Sequence, residues 1–373
     1  MRQEDDLPPI VWPPDFGRDP GDSADGTQET ATDSTRKRLI DGAAFILDTT
    51  LDCPSLWGDG EQVLWPDLEA LYITGSPGVG KTTIAQQLVL SVIGIGPARF
   101  LGLPVARQDR ILYLAMDRPR QIAKSFARMV SERDRAALVE RLVIWKGPPP
   151  QDVAKNALIL LGLAATAGAS TIVLDSLKDA ALGLTNDEVG GAVNRAIQTC
   201  LVNGVNVIVL HHQTKRSGSG DGGKPLALAD VYGSAWLTAG AGSVVLIHGD
   251  AGDTIVELRH LKTPAEPVGP LKIEHDHIAG ISRLADDQVD PLEWLRKQRT
   301  PITAHHLAQM YADPGEQAKR SHIERARRDL NRLTRQGLAI KTEGTKGGTS
   351  GSIPDTWLPA ARPNQFEVLE KSA

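Results

Sequence analysis

The sequence predicts an α/β protein with a mostly parallel sheet, followed by a small C-terminal domain and preceded by a disordered tail. Two observations support this prediction of the fold class. From Leu71 onward, apolar strand-like runs such as LYIT, ILYLAM and TIVLDS alternate with segments that are apolar at helical spacing. Near Asp287 the pattern changes to short charged helices and a hairpin. Alternation with unbroken apolar strands is typical of a parallel sheet that helices cover on both faces.

The domain boundaries follow from composition. Residues 1–36 are acidic and rich in Pro and Gly, so they cannot bury enough apolar surface to fold. We assign residues 37–285 to the α/β domain, in which the stretch from Leu39 to Trp65 predicts small strands at one end of the core. We assign residues 288–360 to the C-terminal domain and residues 361–373 to a flexible end.

Composition also excludes some classes of protein. The chain has 373 residues, of which 41% are hydrophobic and 23% charged, as is ordinary for a soluble protein. Cys53 and Cys200 are its two cysteines, which suits a reducing cytoplasm better than a disulfide framework. The sequence lacks an apolar run near the roughly 20 residues of a membrane span, so we expect a cytoplasmic protein without a membrane partner.

Residues 71–83 read LYITGSPGVGKTT, a strand-like run that opens into glycines and ends in Lys-Thr before an amphipathic helix. The spacing from Gly75 to Gly80, Lys81 and Thr82 matches the P-loop, in which backbone N–H groups surround phosphates and the lysine reaches the β- and γ-oxygens. We therefore predict ATP as ligand, with Mg²⁺ on the Thr82 hydroxyl. The predicted nucleotide-binding residues are Gly75, Ser76, Pro77, Gly78, Val79, Gly80, Lys81, Thr82 and Thr83.

Two aspartates end other strand-like runs. Asp175 closes TIVLD, where a carboxylate is costly unless it serves a cation, so we predict that it holds Mg²⁺ with Thr82. Asp117 follows ILYLAM and has two interpretations. It polarises the water that attacks the γ-phosphate, or it is the N-cap of a helix that has Pro119 just inside its first turn.

A fourth run, VNVIVLHHQTK, ends in His211, His212 and Gln213 and continues into a Gly/Ser/Lys loop. Polar groups at the tip of a core strand can report whether the γ-phosphate is present, and an adjoining loop can then move. The loop over residues 214–226 is either an ordinary solvated segment or one that follows a nucleic-acid backbone through Lys215 and Arg216.

The segments GSPGVGKTT, YLAMDRP, TIVLDSLKD, VIVLHHQTK and DVYGSAWLTAGAGSVVLI occur in this order. In this they resemble the RecA-like ATPases of the AAA family, most closely the branch that includes the RepA-type hexameric helicases. The resemblance covers about Leu39 to Ile281. It implies that Asp117 is the catalytic carboxylate and His212 the γ-phosphate sensor. Many relatives have glutamate at the position of Asp117, which is longer by one methylene.

The resemblance also implies an oligomer, with a ring favoured over a filament, in which a cation from a neighbouring subunit completes each γ-phosphate site. Arg259 and Lys262 match the place where relatives present such a residue. The alternative is that both are ordinary exposed charges on an edge strand.

The C-terminal segment predicts two short helices, a longer basic helix and a hairpin, which together make a winged helix. Its arginines lie where such folds place a groove-binding helix, although a run of charge is also typical of a solvated face. The candidate DNA contacts there are Arg325, Arg328 and Arg332, with Arg327, Arg335, Lys341 and Lys346 nearby.

Three functional hypotheses remain. The first is a Mg²⁺-dependent, DNA-dependent ATPase or replicative-type helicase of a bacterial, plasmid or phage system, with single-stranded DNA at the core loop and duplex at the winged helix. The second is an ATP-switched DNA-binding regulator that does not translocate. The third is a recombinase-like filament protein.

Overall fold

The structure is a computed structural model that describes residues 39–47, 54–214, 227–285, 289–312, 315–345 and 353–360. The predicted tails, 1–36 and 361–373, lie outside this part of the chain. The chain divides into two compact units, Met1–Leu284 and Ala285–Ala373, each of which is described by itself. Among the described residues, no helix combines the length and apolarity needed to cross a membrane.

The first unit is built on one nine-stranded sheet, which confirms the predicted α/β class. Its order is β13-β12-β11-β10-β3-β9-β8-β6-β7, and the strands from β10 to β7 are parallel. The parallel strands are β3 (Leu71–Gly75), β6 (Ile111–Ala115), β7 (Leu142–Lys146), β8 (Thr171–Asp175), β9 (Asn206–Leu210) and β10 (Ser243–His248).

Three further strands extend the sheet beyond β10 as an antiparallel meander. They are β11 (Ile255–Lys262), β12 (Leu271–Asp276) and β13 (Ile281–Leu284). The connections between them are too short for a crossover, and such neighbours can pair only antiparallel. β11 lies between β10 and β12, but β12 pairs only with Ile255–Leu258, so Arg259 and Lys262 lie on the part of β11 that pairs with β10 alone, in agreement with their interpretation as edge-strand charges.

Apart from the edge strand β7, the parallel strands are buried on both faces, so alternate residues enter two separate cores. Ile73 and Tyr113 belong to one core, and Tyr72 and Leu112 to the other. The helices that accompany the sheet in the described part of the chain are α2 (Lys81–Val92), α3 (Pro119–Phe126), α4 (Arg135–Arg141), α5 (Ile159–Ala167), α6 (Asp187–Val202) and the short α7 (Trp236–Ala239).

The segment before the P-loop differs in part from the prediction of small strands over residues 39–65. Two short strands, β1 (Ser55–Asp59) and β2 (Gln62–Pro66), form a hairpin, but Gly42–Leu47 is a helix, α1. Asp41 explains this difference, since its side chain accepts a hydrogen bond of 2.9 Å from the backbone N–H of Ala44. A side-chain acceptor at this position favours helix over strand. Two other short strands, β4 (Arg99–Phe100) and β5 (Leu103–Pro104), pair with each other.

The described part of the second unit contains the helices α8 (Pro291–Arg296), α9 (Ala304–Gln309) and α10 (Arg320–Arg335), followed by an antiparallel pair, β14 (Ala339–Thr342) and β15 (Thr356–Pro359). Leu295, Leu307, Leu330 and Trp357 are the centre of its core. Trp357 also exchanges two backbone hydrogen bonds with Ile302, of 2.8 and 2.9 Å, so the chain between α8 and α9 adds to this small sheet.

Candidate nucleotide-binding and hydrolysis site

The P-loop is positioned by β3 and ends at the first residue of α2. Gly80 has φ 94° and immediately precedes the helix, a backbone conformation that favours glycine. Gly75 passes so close to β10 that a Cβ atom there would lie 2.5 Å from the carbonyl oxygen of Ile247. These two glycines let the loop turn tightly and leave the N-terminus of α2 open to an anion.

Lys81 points back across the loop that precedes it. Its Nζ donates hydrogen bonds to the carbonyl oxygens of Gly75 (2.9 Å) and Ser76 (2.7 Å), and the residue is only 7% exposed. Burial lowers the pKa of Lys81 to about 8, and the nearby Asp175 carboxylate opposes this shift. The ammonium group is therefore fixed beside the site expected for the phosphates.

Asp175 lies at the end of β8 and faces the P-loop helix. The Thr82 hydroxyl is 3.5 Å from its Oδ1, and the Tyr113 hydroxyl donates a hydrogen bond of 2.6 Å to its Oδ2. Burial raises the pKa of Asp175, while the bonds from Tyr113 and Thr82 and the charge of Lys81 lower it. A carboxylate and a hydroxyl oxygen that face each other fit a hard cation such as Mg²⁺.

Tyr113 was not among the predicted site residues. In the pairing of β6 with β8, Ala115 lies opposite Asp175, so Tyr113 is two residues along the same face of the sheet. Tyr113 could have been found only from the alternation of side chains along β6 together with the register of β6 against β8. The sequence pattern does not contain that register.

Asp117 does not occupy the capping position that was one of its two interpretations. The N-cap of α3 is Arg118, with Pro119 as the first helical residue. The Asp117 carboxylate instead lies 3.3 Å from Nε of Arg118 and 3.8 Å from Nζ of Lys178, and it is 43% exposed. The side chain is thus held between two cations at the carboxyl end of the sheet.

The two histidines after β9 have different environments. His211 is fully buried, and its Nε2 lies 2.6 Å from the carbonyl oxygen of Tyr232. His212 is half-buried, and its Nδ1 is buried without a hydrogen-bond partner among the described residues. Burial, followed by the charges of Lys81 and Lys178, lowers the pKa of His212 to about 4, so the ring is neutral at pH 7. Nδ1 of His211 is also buried without such a partner, so the difference that bears on the site is that His212, unlike His211, lines the cleft described below.

One cleft of about 970 Å³ brings together most of the predicted catalytic residues. Its lining includes Lys81, Thr82, Asp117, Asp175 and His212. They come from separate segments of the chain, and the carboxyl ends of adjacent parallel strands deliver them to one edge of the sheet, as expected for open α/β sheets.

A smaller cleft of about 290 Å³ lies beside Thr83 and the turn between β12 and β13. His275 supports the P-loop here, because its Nε2 is 3.1 Å from the carbonyl oxygen of Val79 and its Nδ1 is 2.7 Å from the Ser282 hydroxyl. A Cβ atom at Gly80 would meet this ring at 2.5 Å. Sequence reasoning missed His275 because it lies far from Gly80 along the chain and no local motif marks it.

The two residues predicted to act on a neighbouring subunit are bound within their own chain. Arg259 forms an ion pair with Glu257, two residues earlier on the same face of β11. Lys262 donates hydrogen bonds to the carbonyl oxygens of Thr238 (3.1 Å) and Ala239 (2.7 Å) at the end of α7. Neither is among the described residues that line the 970 Å³ cleft.

The arginines of α10 also differ from one another. Arg332 and Arg325 lie 3.1 and 3.8 Å from the buried carboxylate of Asp329, and Arg325 stacks over the ring of Tyr311. Arg327 is exposed, and Arg328 is half-buried. Lys215 and Arg216, the predicted contacts of the core loop, and Lys346 lie outside the described residues.

Part of the chain is similar to known proteins. Residues 43–218 match the family model described as an AAA domain, whereas no curated protein matches the chain. A solved structure described as an ATPase domain is similar at 15% identity with a TM-score of 0.44, over 59% of this chain and 86% of that one. A KaiC-like protein from Pyrococcus horikoshii OT3 is similar at 15% identity with a TM-score of 0.41, over 62% and 93%. The AAA match contains the P-loop and the parallel strands β3, β6, β7, β8 and β9.

Proposed function

We propose that this protein is a Mg²⁺-dependent ATPase that couples hydrolysis to DNA binding or translocation, as a DNA-dependent ATPase or helicase of the RepA-type branch. The observation that carries the proposal is the single cleft lined by Lys81, Thr82, Asp117, Asp175 and His212. It combines a phosphate-binding loop with a carboxylate that is not part of that loop. Such a pair suits transfer of a phosphoryl group to water.

Each group has a distinct role in this proposal. Thr82 and Asp175 would hold Mg²⁺, which when bound neutralises charge on the β- and γ-phosphates. Lys81 binds the same phosphates as a fixed cation. Asp117 orients the attacking water and takes its proton, and its partial exposure leaves room for that water.

His212 provides a route from the nucleotide to the core loop. The backbone of His212 accepts a hydrogen bond of 3.0 Å from Tyr232 N–H, and Thr214 N–H donates one of 2.9 Å to Asp230. Gln213 pairs with Val231 between them. These contacts join the two ends of the loop that contains Lys215 and Arg216, so a shift of His212 toward a γ-phosphate would move both ends together.

The second unit supports a DNA partner through its element order, because three helices followed by an antiparallel strand pair are the composition of a winged helix. A cleft of about 570 Å³ lies between α9, α10 and the strand pair, and Arg327, Lys341 and His305 are among the residues that line it. We propose that this face contacts duplex DNA. A homo-oligomeric ring remains part of the proposal by resemblance.

The test is the ATPase rate of the full chain with and without single-stranded DNA, measured together with the solution mass. We expect the rate to rise with DNA and the Lys81→Ala variant to lose turnover and strand unwinding together. An unchanged rate, with duplex binding that requires residues 288–360 but survives Lys81→Ala, would instead indicate the regulator. Turnover with continuous growth in mass on DNA and without unwinding would indicate the recombinase-like filament.

A further inference from the structure

Lys178 lines the hydrolysis cleft, but the roles proposed above for the residues of this cleft do not include it. It lies on the single 3₁₀ turn Leu177–Asp179 that directly follows β8. Leu177 is fully buried, and the Ser176 hydroxyl donates a hydrogen bond of 2.9 Å to the carboxylate of Asp179. The turn is therefore anchored on both sides of Lys178, and the lysine side chain extends into the cleft.

The position of Lys178 follows from the sheet. Strands β6 and β8 are adjacent and parallel, with Ala115 opposite Asp175, so the segments that follow them emerge side by side. Nζ of Lys178 consequently lies 3.8 Å from Oδ2 of Asp117, and 3.8 Å from Oδ1 of Asp179. Lys178 therefore lies in the same cleft as the proposed base and the P-loop residues Lys81 and Thr82.

The proposed Mg²⁺ would be held at Thr82 and Asp175, which leaves the charge of Asp117 to be balanced by another cation. Asp117 and Asp175 place two carboxylates near a triphosphate that is itself strongly anionic, and Lys81 is the cation of the P-loop. A carboxylate close to a γ-phosphate is repelled unless a positive group lies between them. Lys178 contacts Asp117, and after burial and the charge of Lys81 it is a further cause of the lowered pKa of His212.

The other candidate cations are less suited to this role. Arg118 pairs with Asp117 at 3.3 Å but is 67% exposed at the start of α3. Arg259 is bound to Glu257, and Lys262 caps α7. Among the described residues, Lys178 is the lysine that both lines the cleft and contacts the proposed base.

We propose that Lys178 is a catalytic residue that binds the γ-phosphoryl oxygens from within the same chain. The inference rests on the proposed ATPase function. The water oxygen forms a bond to the γ-phosphorus, and one of its protons passes to Asp117. The bond between the γ-phosphorus and the bridging oxygen breaks, and its electron pair leaves with ADP. Lys178 neutralises the charge on the transferred group.

The first test compares Lys178→Ala with Lys124→Ala, a matched lysine on the exposed face of α3. We expect Lys178→Ala to lower kcat by about 10²–10³-fold, because one charge-stabilising donor is lost, while ADP affinity changes little. The variant should also fail to trap ADP with aluminium fluoride, whose complex mimics the transferred phosphoryl group. Lys124→Ala should behave as the unmodified protein. Normal turnover or normal trapping in Lys178→Ala would overturn the proposal.

A second test separates phosphate binding from mere positioning of Asp117. In an Asp117→Asn background, Lys178→Ala should still abolish aluminium fluoride trapping. If trapping is unaffected there, Lys178 acts only through Asp117 and the proposal is wrong. An unmodified protein that does not hydrolyse ATP would contradict the proposed function itself, which is a different outcome.

A third test asks whether the cation comes from the same chain. Lys81→Ala and Lys178→Ala proteins are mixed in equal amounts and assayed. If both residues serve one site from one chain, every site lacks one of them and activity stays absent. Recovery of activity in the mixture would mean that Lys178 acts on a neighbour's nucleotide, and the proposal would fail.

Discussion

The hydrolysis cleft of the first unit and the arginine-rich helix of the second unit are both dense in charge, but they use it differently. In the first unit, Asp117, Asp175 and Lys178 come from the ends of adjacent strands and meet in one cleft. In the second unit, Arg325 and Arg332 contact Asp329 on their own helix. Charges from different strands converge on a ligand site, whereas these helical charges pair with one another.

The geometry of each element explains the difference. Parallel strands all present their carboxyl ends at one edge, so side chains distant in sequence become neighbours there. On a helix, residues three and four apart share a face, and Asp329 lies four residues after Arg325 and three before Arg332. An arginine count therefore overestimates the charge that α10 can offer a partner. The four predictions below test this contrast.

The largest effect, on the rate of hydrolysis, is expected in the cleft where charges from different strands meet. Asp117→Asn should lower kcat by about 10²–10⁴-fold, because the amide cannot accept the proton of the attacking water. ADP affinity should change little, since the P-loop is intact. The measurement is steady-state hydrolysis alongside equilibrium binding of a fluorescent ADP analogue.

Asp117→Glu is the matched control for that variant. It keeps the carboxylate and adds one methylene. We expect it to retain much of the activity because its cationic neighbours, Arg118 and Lys178, are 67% and 43% exposed and so have space to follow the longer side chain. Near-normal hydrolysis by Asp117→Asn would show that the charges of this cleft do not act on the water. The cleft would then not differ from α10 in directing its charges at a ligand.

The second prediction concerns the pairing on α10. Asp329 is 9% exposed and accepts a hydrogen bond of 2.8 Å from the Tyr311 hydroxyl in addition to its arginine contacts. Asp329→Asn should lower the free energy of opening of α10 by about 1–3 kcal/mol, because the buried partners lose a charged acceptor. Amide hydrogen exchange over residues 320–335 in the full chain measures this.

Glu324→Gln provides the comparison on the same helix. Glu324 pairs with Arg320 at 3.0 Å on a surface where the arginine is 93% exposed, and such pairs contribute about 0.5 kcal/mol or less. Equal effects of the two substitutions would mean that Asp329 is an ordinary surface acid, and that Arg325 and Arg332 are as available to a partner as the sequence alone suggests.

The parts of the site that were predictable from sequence are the contiguous P-loop motif and the residues that stand at the ends of buried strands. The P-loop is contiguous, and Asp117, Asp175 and His212 each follow or end a buried strand, so their convergence needs only a parallel sheet. Tyr113 and Lys178 required the register between β6 and β8. His275 required the antiparallel hairpin that folds back on Gly80. These are non-local pairings, which no periodicity within one segment records.

The helix of the second unit shows the opposite limitation. The spacing from Asp329 to Arg325 and Arg332 was visible in the sequence, and helical geometry alone indicates the pairing. What sequence could not supply was the burial of that face against Tyr311, which makes the pairing more than a surface contact. Burial depends on the packing of α9 and α10, and so on tertiary structure.

The third prediction concerns His260, a half-buried histidine of the first unit. Burial lowers the pKa of His260 to about 4, below its ordinary value of 6.5. A neutral histidine in the folded state contributes stability that is fully present above pH 6.5 and is lost as the pH falls from 6.5 toward 4. We expect a loss of about 1.4 kcal/mol per pH unit within this window for each such group.

His260→Gln should therefore reduce the acid sensitivity of the first unit, even if it lowers stability at neutral pH. Hydrogen exchange over β10 and β11, compared at pH 7 and 5.5 after correction for intrinsic rates, isolates the contribution of this residue. An identical pH dependence in the variant would show that His260 is solvated, and that burial of ionisable groups does not distinguish the first unit in this way.

The smallest effect is expected for DNA binding by α10. Two arginines of this helix, two positions apart, give the most direct test of how α10 uses its charge. Arg327 is exposed and lines the cleft beside Lys341, so Arg327→Ala should weaken duplex binding several-fold and reduce the slope of log affinity against log salt by about 1, the value for one phosphate contact. Arg325→Ala should leave that slope unchanged, because its guanidinium is occupied by Asp329 and Tyr311. If Arg325→Ala lowers the slope and Arg327→Ala does not, the internal pairing breaks when DNA binds, and helical charges would converge on a ligand in the same way as those at the strand ends.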